Sequence, residues 1–255
     1  MKKQLDELLK CALTPMDEPS FWLNQKILNQ VKEQNEMIGK EKRRFSVATI
    51  VLAFILCFGS ITAYGAWKYI SSADVVNKLQ EDTTLAEVFL SEKAKVINET
   101  QTYGGYQITL LSMVSGDLLT EHPTYDKDGT IMTDRTYIVV AIENEDGTPL
   151  PSPAEDAYAE LEFFVSPLMK GYNPVMHNIV TMSGAYGEME EDGILYRLLE
   201  CNNVENLVSD EIYICVSDGV FYNAKAYQYD ETTGEISRNE AYEGLNALFV
   251  LPMEE

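Results

Sequence analysis

From Phe45 to Trp67 the chain runs 23 residues without a charge, FSVATIVLAFILCFGSITAYGAW, and this stretch constrains everything around it. As a helix rising about 1.5 Å per residue it would reach roughly 34 Å, enough for a hydrocarbon core of about 30 Å. A transmembrane helix over residues 45–67 is therefore expected. Ser46, Thr49, Ser60 and Thr62 are compatible with it, because helical hydroxyls bond back to the chain's own carbonyls. Trp67 and Tyr69 close the run, where amphipathic rings favour a membrane interface. Lys40-Glu41-Lys42-Arg43-Arg44 stands before the span and few cations follow Lys68. The positive-inside bias then places the N-terminus in the cytoplasm and the C-terminal domain outside a cell membrane crossed once. Two other readings compete. A buried core helix would be unusually long at this length. A cleaved signal peptide would find its small residues at Ala63-Tyr64-Gly65-Ala66, but the preceding 44 residues exceed a short charged leader.

The net charge of −22 is unevenly spread. Residues 1–44 hold 9 Lys and Arg against 7 Asp and Glu, a net +2; residues 68–255 hold the remaining 10 against 34, a net −24. So acidic a domain disfavours nucleic acid and anionic lipid, which attract cationic surfaces. Of the four cysteines, Cys11 falls in the first segment, Cys57 in the apolar run, and Cys201 and Cys215 in the acidic part. Outside a cell the last two could form a disulfide, although spacing does not show that they are within bonding distance. His122 and His177 both follow the apolar run, so residues 1–44, with Cys11 alone and no histidine, cannot make a His/Cys zinc site.

Within residues 1–44, Leu5, Leu8, Leu9, Ala12 and Leu13 recur at helical spacing, and Thr14-Pro15 ends that helix. Ser20 is placed to cap a second helix carrying Phe21, Trp22, Leu23, Ile27, Leu28 and Val31. Forty-four residues are too few for a sizeable core. The helices pack on each other, lie on a leaflet of the lipid bilayer, or grip a partner helix-into-groove.

After the apolar run, residues 68–102 read as a helical juxtamembrane stalk, with a stripe at Val75, Val76, Leu79, Leu85, Val88 and Phe89 broken at Thr83-Thr84. Residues 103–255 read as a mainly β domain. Strands are expected over 106–114, 136–143, 161–165, 178–182, 194–200, 211–217, 220–229 and 247–251, rich in Tyr, Val and Ile. In the second of these both faces are apolar, which marks a central strand. Gly104-Gly105, Asp146-Gly147, Asp192-Gly193, Asp218-Gly219 and Thr233-Gly234 punctuate the gaps. The expected fold class is a single transmembrane helix with a short helical cytoplasmic segment and a mainly β (β-sandwich-like or α+β) extracellular domain.

Chemical motifs are weak. Asp126-Lys127-Asp128-Gly129 starts like a calcium loop, but Ile131 stands where glycine is required and Tyr137 where an acid is required. Asn98-Glu99-Thr100 fits a glycosylation sequon. The carboxylates at Glu155-Asp156 and from Glu188 to Asp192 suit a solvated face better than a glycosidase pair. No GxSxG and no phosphate-binding glycine loop occurs. No catalytic residue, metal ligand or cofactor is expected.

Several phrases resemble the membrane-anchored anti-sigma factors of Gram-positive bacteria, whose outer domain is of unknown function. They are Leu5-Asp6-Glu7-Leu8-Leu9-Lys10, Phe21-Trp22-Leu23-Asn24-Gln25-Lys26-Ile27-Leu28, the basic stop before the apolar run, and Tyr64-Gly65-Ala66-Trp67-Lys68. Farther on come Asn98-Glu99-Thr100-Gln101-Thr102-Tyr103-Gly104-Gly105-Tyr106 and Asp192-Gly193-Ile194-Leu195-Tyr196. The chain departs from the zinc-containing anti-sigma type, having no His and Cys cluster. The resemblance implies that the first segment holds a cytoplasmic sigma factor through Leu5, Leu8, Leu9, Phe21, Trp22, Ile27 and Leu28. It also implies that the outer domain senses an envelope signal, and that cutting or rearrangement between Lys68 and Lys95 releases the factor. The alternative from another class is a tethered extracellular binding or structural domain with no sigma-factor role.

Overall fold

The structure, a computed structural model, describes residues 68–207 and 210–253. In chain order these form α1 (Ser72–Gln80), α2 (Thr83–Leu90), β1 (Lys95–Tyr103), β2 (Tyr106–Asp117), β3 (Thr124–Tyr125), β4 (Ile131–Met132), β5 (Asp134–Asn144), β6 (Phe163–Met169), β7 (Ala185–Glu191), β8 (Ile194–Asn202), β9 (Glu211–Asp218), β10 (Tyr227–Tyr229), β11 (Ile236–Arg238) and β12 (Asn246–Pro252). A five-stranded antiparallel sheet has the order β1-β2-β5-β8-β7, and a three-stranded antiparallel sheet the order β12-β9-β6.

Three layers result, and β5 shows why. Successive side chains of a strand point to opposite faces. Ile138, Val140 and Ile142 join Ile108, Leu110, Leu195 and Leu199 in a core shared with Val165, Ile212, Ile214 and Phe249 of the second sheet. Tyr137, Val139 and Ala141 face the other way, into a cluster with Val75, Val76, Leu85, Ala86 and Phe89 of the helices. A bulge between Leu110 and Ser112 sets two consecutive residues of β2, Leu111 and Ser112, on the helix side. Each fully buried aliphatic side chain here stabilises the fold by about 1.5–3 kcal/mol.

The helices are short because caps end them. Ser71 accepts from the Asp74 amide at 3.1 Å, and Glu81 turns left-handed at φ 53° to stop α1. The break therefore falls at Glu81-Asp82 rather than at Thr83-Thr84. Asp82, fully buried, accepts from the Leu85 amide at 2.9 Å and from the Glu121 amide at 3.1 Å. Glu121 in turn accepts from Thr83, and from the Thr84 amide and hydroxyl, so two carboxylates serve one helix N-terminus.

The expected fold class is corrected. No helix among the described residues is long and apolar enough to cross a membrane; α1 and α2 have 9 and 8 residues, and the rest is mainly β. The expected cell-membrane placement, with a cytoplasmic N-terminus and an extracellular domain, does not stand on these helices. Residues 1–44 and 45–67, on which it was built, lie outside the described residues. The physical reason is distribution: the apolar side chains alternate along strands or stripe short helices, each covering a sheet face.

The stalk over 68–102 is corrected too. Its stripe is the face that covers the sheet, and Lys95–Tyr103 is an edge strand. Two strand assignments also move. Residues 178–182 form a loop whose Ile179 amide donates to Ser166 Oγ of β6 at 2.8 Å, and the strand is Ala185–Glu191 instead. Within 220–229 only Tyr227–Tyr229 is a strand.

The two sheets close along one side through β1. Gln101 donates to the Leu248 carbonyl at 2.9 Å and accepts from the Leu248 amide at 3.0 Å, pairing with β12 as a backbone unit would. The Arg238 guanidinium lies over the Tyr103 ring at 3.5 Å, and Tyr106 meets Phe163 edge-on at 5.1 Å. In the turn between them, a Cβ on Gly104 would sit 2.3 Å from the Leu245 amide, whereas one on Gly105 meets nothing within 4 Å. Both have positive φ. Gly105→Ala is expected to cost about 1 kcal/mol, from conformation alone. Gly104→Ala adds the collision and is expected to cost about 3 kcal/mol or more. Denaturant midpoints of the two variants check this; equal losses would mean that β1 does not close on the second sheet.

Candidate functional site

The motifs singled out in the sequence turn out to build the fold. Asp126–Gly129 is a turn, closed by the Gly129 amide on the Asp126 carbonyl at 2.9 Å. Asn98 of the sequon sits at φ 51° where the β1–β2 register shifts; asparagine tolerates that left-handed geometry better than most residues. Glu188 binds the buried Arg197, whose Nη1 also donates to the Phe163 carbonyl at 2.5 Å. Glu190 accepts from the Gly193 amide at 2.6 Å, and Glu191 pairs with Lys78. Asp192 and Gly193, both at positive φ, make the tight β7–β8 turn.

Cys201 and Cys215 are both free, buried thiols, so the disulfide considered for them is absent. Burial pushes the Cys201 thiol up to about 12 and raises that of Cys215 as well, which suits packing rather than nucleophilic use. Among the described residues no group of three or more His, Cys, Asp or Glu could hold a metal ion. Ser217 is buried between Phe164 and Asn246 in the second sheet, while His177 packs edge-on against Tyr172, so these two do not pair. A shallow depression of about 430 Å³ at Gly105, Asn144, Glu145, Asp146 and Thr148 spends its polar groups on its own turn, with Thr148 donating to Asp146. The expected partner contacts Leu5, Leu8, Leu9, Phe21, Trp22, Ile27 and Leu28 lie outside the described residues.

What stands out is the junction at Lys68–Ser72. This strap crosses the helix-facing side of three adjacent strands. The Tyr69 hydroxyl donates to Glu143 Oε1 of β5 at 2.6 Å and accepts from Thr109 Oγ1 and Gln107 Nε2 of β2, each at 2.9 Å. Gln107 Nε2 also donates to Glu143 Oε1 at 2.6 Å, and the Lys68 ammonium pairs with the other carboxylate oxygen. The Ile70 amide donates to the Tyr196 hydroxyl of β8 at 3.2 Å, and Ser112 Oγ donates to Ser72 Oγ at 2.5 Å. The Glu143 side chain is 8% exposed, so these partners take the place of water around its carboxylate.

Compared with protein-family models, curated proteins and solved structures, the chain matches none.

The sequence did carry a signal for the junction. In TYIVVAIE the parity of Tyr137, Val139 and Ala141 places Glu143 on the same face, an acid at the end of a doubly buried strand. Tyr69 could not be found this way, because only the fold brings it 74 residues back onto Glu143. The arrangement holds a charge and orients a hydroxyl; it ties chain to sheet rather than presenting a nucleophile.

Burial, and then donation to Glu143, push the Tyr69 hydroxyl from 10.0 up to about 12. A pKa raised in the folded state contributes stability that is complete below pH 10 and is lost as pH rises toward 12. Tyr69→Phe is expected to lose about 1–2 kcal/mol at neutral pH, by leaving Thr109 and Glu143 short of a partner. It is also expected to fall less steeply than the wild type across pH 10–12. Denaturant unfolding at each pH measures both, and parallel curves would remove Tyr69 from the titration.

Proposed function

We propose that the chain is a two-part, non-catalytic regulator. Residues 1–44 hold a sigma factor through Leu5, Leu8, Leu9, Phe21, Trp22, Ile27 and Leu28, and the β domain supplies the input that governs this hold. The amphipathic spacing of that segment carries the reading, because a segment too short for a core leaves its apolar faces to a partner. The likeness of its phrases to anti-sigma factors names the partner class. Support from the described residues is indirect: their conspicuous motifs are used in turns, caps and strand closure, and the polar network at Lys68–Ser72 lies where the domain meets the preceding chain. The strongly acidic composition after residue 67 agrees with a domain that does not itself bind nucleic acid.

Affinity capture with the full-length chain, read by mass spectrometry, tests this. The wild type is expected to recover a sigma factor. Trp22→Asp and Leu28→Asp are each expected to reduce recovery about thirtyfold or more, the size of a central contact worth 2 kcal/mol or more. A chain that captures no sigma factor, or variants that capture it as well as the wild type, would leave a binding or structural domain as the account.

A further inference from the structure

We propose that Lys68–Ser72 is a latch, closed on Glu143, that leaves the sheet without unfolding the domain behind it. The strap and the helices that follow are held by different forces. Val75, Val76 and Leu85 are fully buried, and α1 and α2 stay down by apolar packing. The strap packs Tyr69 and Ile70 against the helix-side cluster and adds polar contacts at Tyr69–Glu143, Tyr69–Thr109, Ile70–Tyr196, Ser72–Ser112 and Lys68–Glu143. Such contacts are individually weak in net terms, since water replaces them when they open. Lys68 and Ser71 are exposed, so water reaches the strap on either side of Tyr69, while Ser72, the first residue of α1, is buried. Tyr69 is the apolar anchor among them, and its hydroxyl sits on the carboxylate. When the strap leaves, Glu143 keeps Gln107 Nε2 at 2.6 Å and gains water. The open state therefore does not strand a buried charge.

Glu143 lies on β5, the central strand, so anything that shifts β5 against β2 alters the latch. By linkage, a pull on the strap from residues before 68 alters the sheet in return. That consequence rests on the regulatory reading above; the latch itself does not.

Hydrogen exchange on the full-length chain tests it. In the wild type the amides of residues 69–72 are expected to exchange through local opening, faster than those of β9. Tyr69→Phe and Glu143→Gln are each expected to speed exchange at 69–72 about tenfold while these amides stay faster than those of β9 and β12, which speed only by each variant's loss of global stability. The latch is overturned if 69–72 exchange at the rate of β9 in the wild type. It is equally overturned if the variants leave 69–72 unchanged, or if 69–72 and β9 exchange at one common rate in the variants. Sigma-factor capture by the same chains is read separately, so a failure of the partner assignment leaves the exchange result intact.

Discussion

A strand that is apolar on both faces has to be covered twice, and β5 imposes that requirement on the whole domain. Its Ile138, Val140 and Ile142 call for one layer and its Tyr137, Val139 and Ala141 for another. The second sheet answers the first demand and the pair of short helices the second. Removing either layer would leave several fully buried aliphatic side chains in water, each at about 1.5–3 kcal/mol. The sheet order follows from the same need, with the acid-rich β7 and the bulged β1 pushed to the edges where half-buried side chains are tolerated.

The polar groups inside this apolar frame are placed where they specify geometry. Arg135, 1% exposed, donates to Glu200, to Asn202 and to the Ser183 carbonyl, and so fixes the loop before β7. Arg197 joins β8 to the Phe163 carbonyl of the other sheet. Glu143 and Tyr69 join the start of the domain to its central strand. A buried charge of this kind gives little net stability but penalises any arrangement that leaves it unpaired. The same side chains therefore favour one register of the layers over its neighbours.

Parts of this were legible in the residues. The double apolar face of 136–143 placed β5 at the centre, and the strand positions of β2, β8, β9 and β12 followed from their Tyr, Val and Ile content. β7 was not legible, since Ala185–Glu191 carries glycine and three glutamates, and its strand state depends on Arg197 and Lys78 across from it. Nor was β1, whose bulge at Asn98 interrupts alternation. The helical stripe at Val75–Phe89 was visible, but a stripe does not say what it covers; the helices of the expected juxtamembrane stalk cover the five-stranded sheet, and its last part is β1. In the phrase from Asn98 to Tyr106, Asn98 makes the bulge, and Gln101, Tyr103, Gly104 and Tyr106 close β1 on the second sheet.

Sequence by itself determined the local preferences: which residues alternate, where caps and tight turns fall, how acidic the domain is, and how far an uncharged run such as 45–67 could reach as a helix. An apolar run states a length and a solvent preference, and nothing in it says where the chain places it. Only the tertiary structure decided that the helices after residue 71 are one wall of a three-layer domain, that Cys201 and Cys215 stay free thiols, and that Tyr69 closes on Glu143. Those outcomes depend on contacts between residues far apart in the chain, and local physics constrains such contacts only after the sheet has brought the partners together.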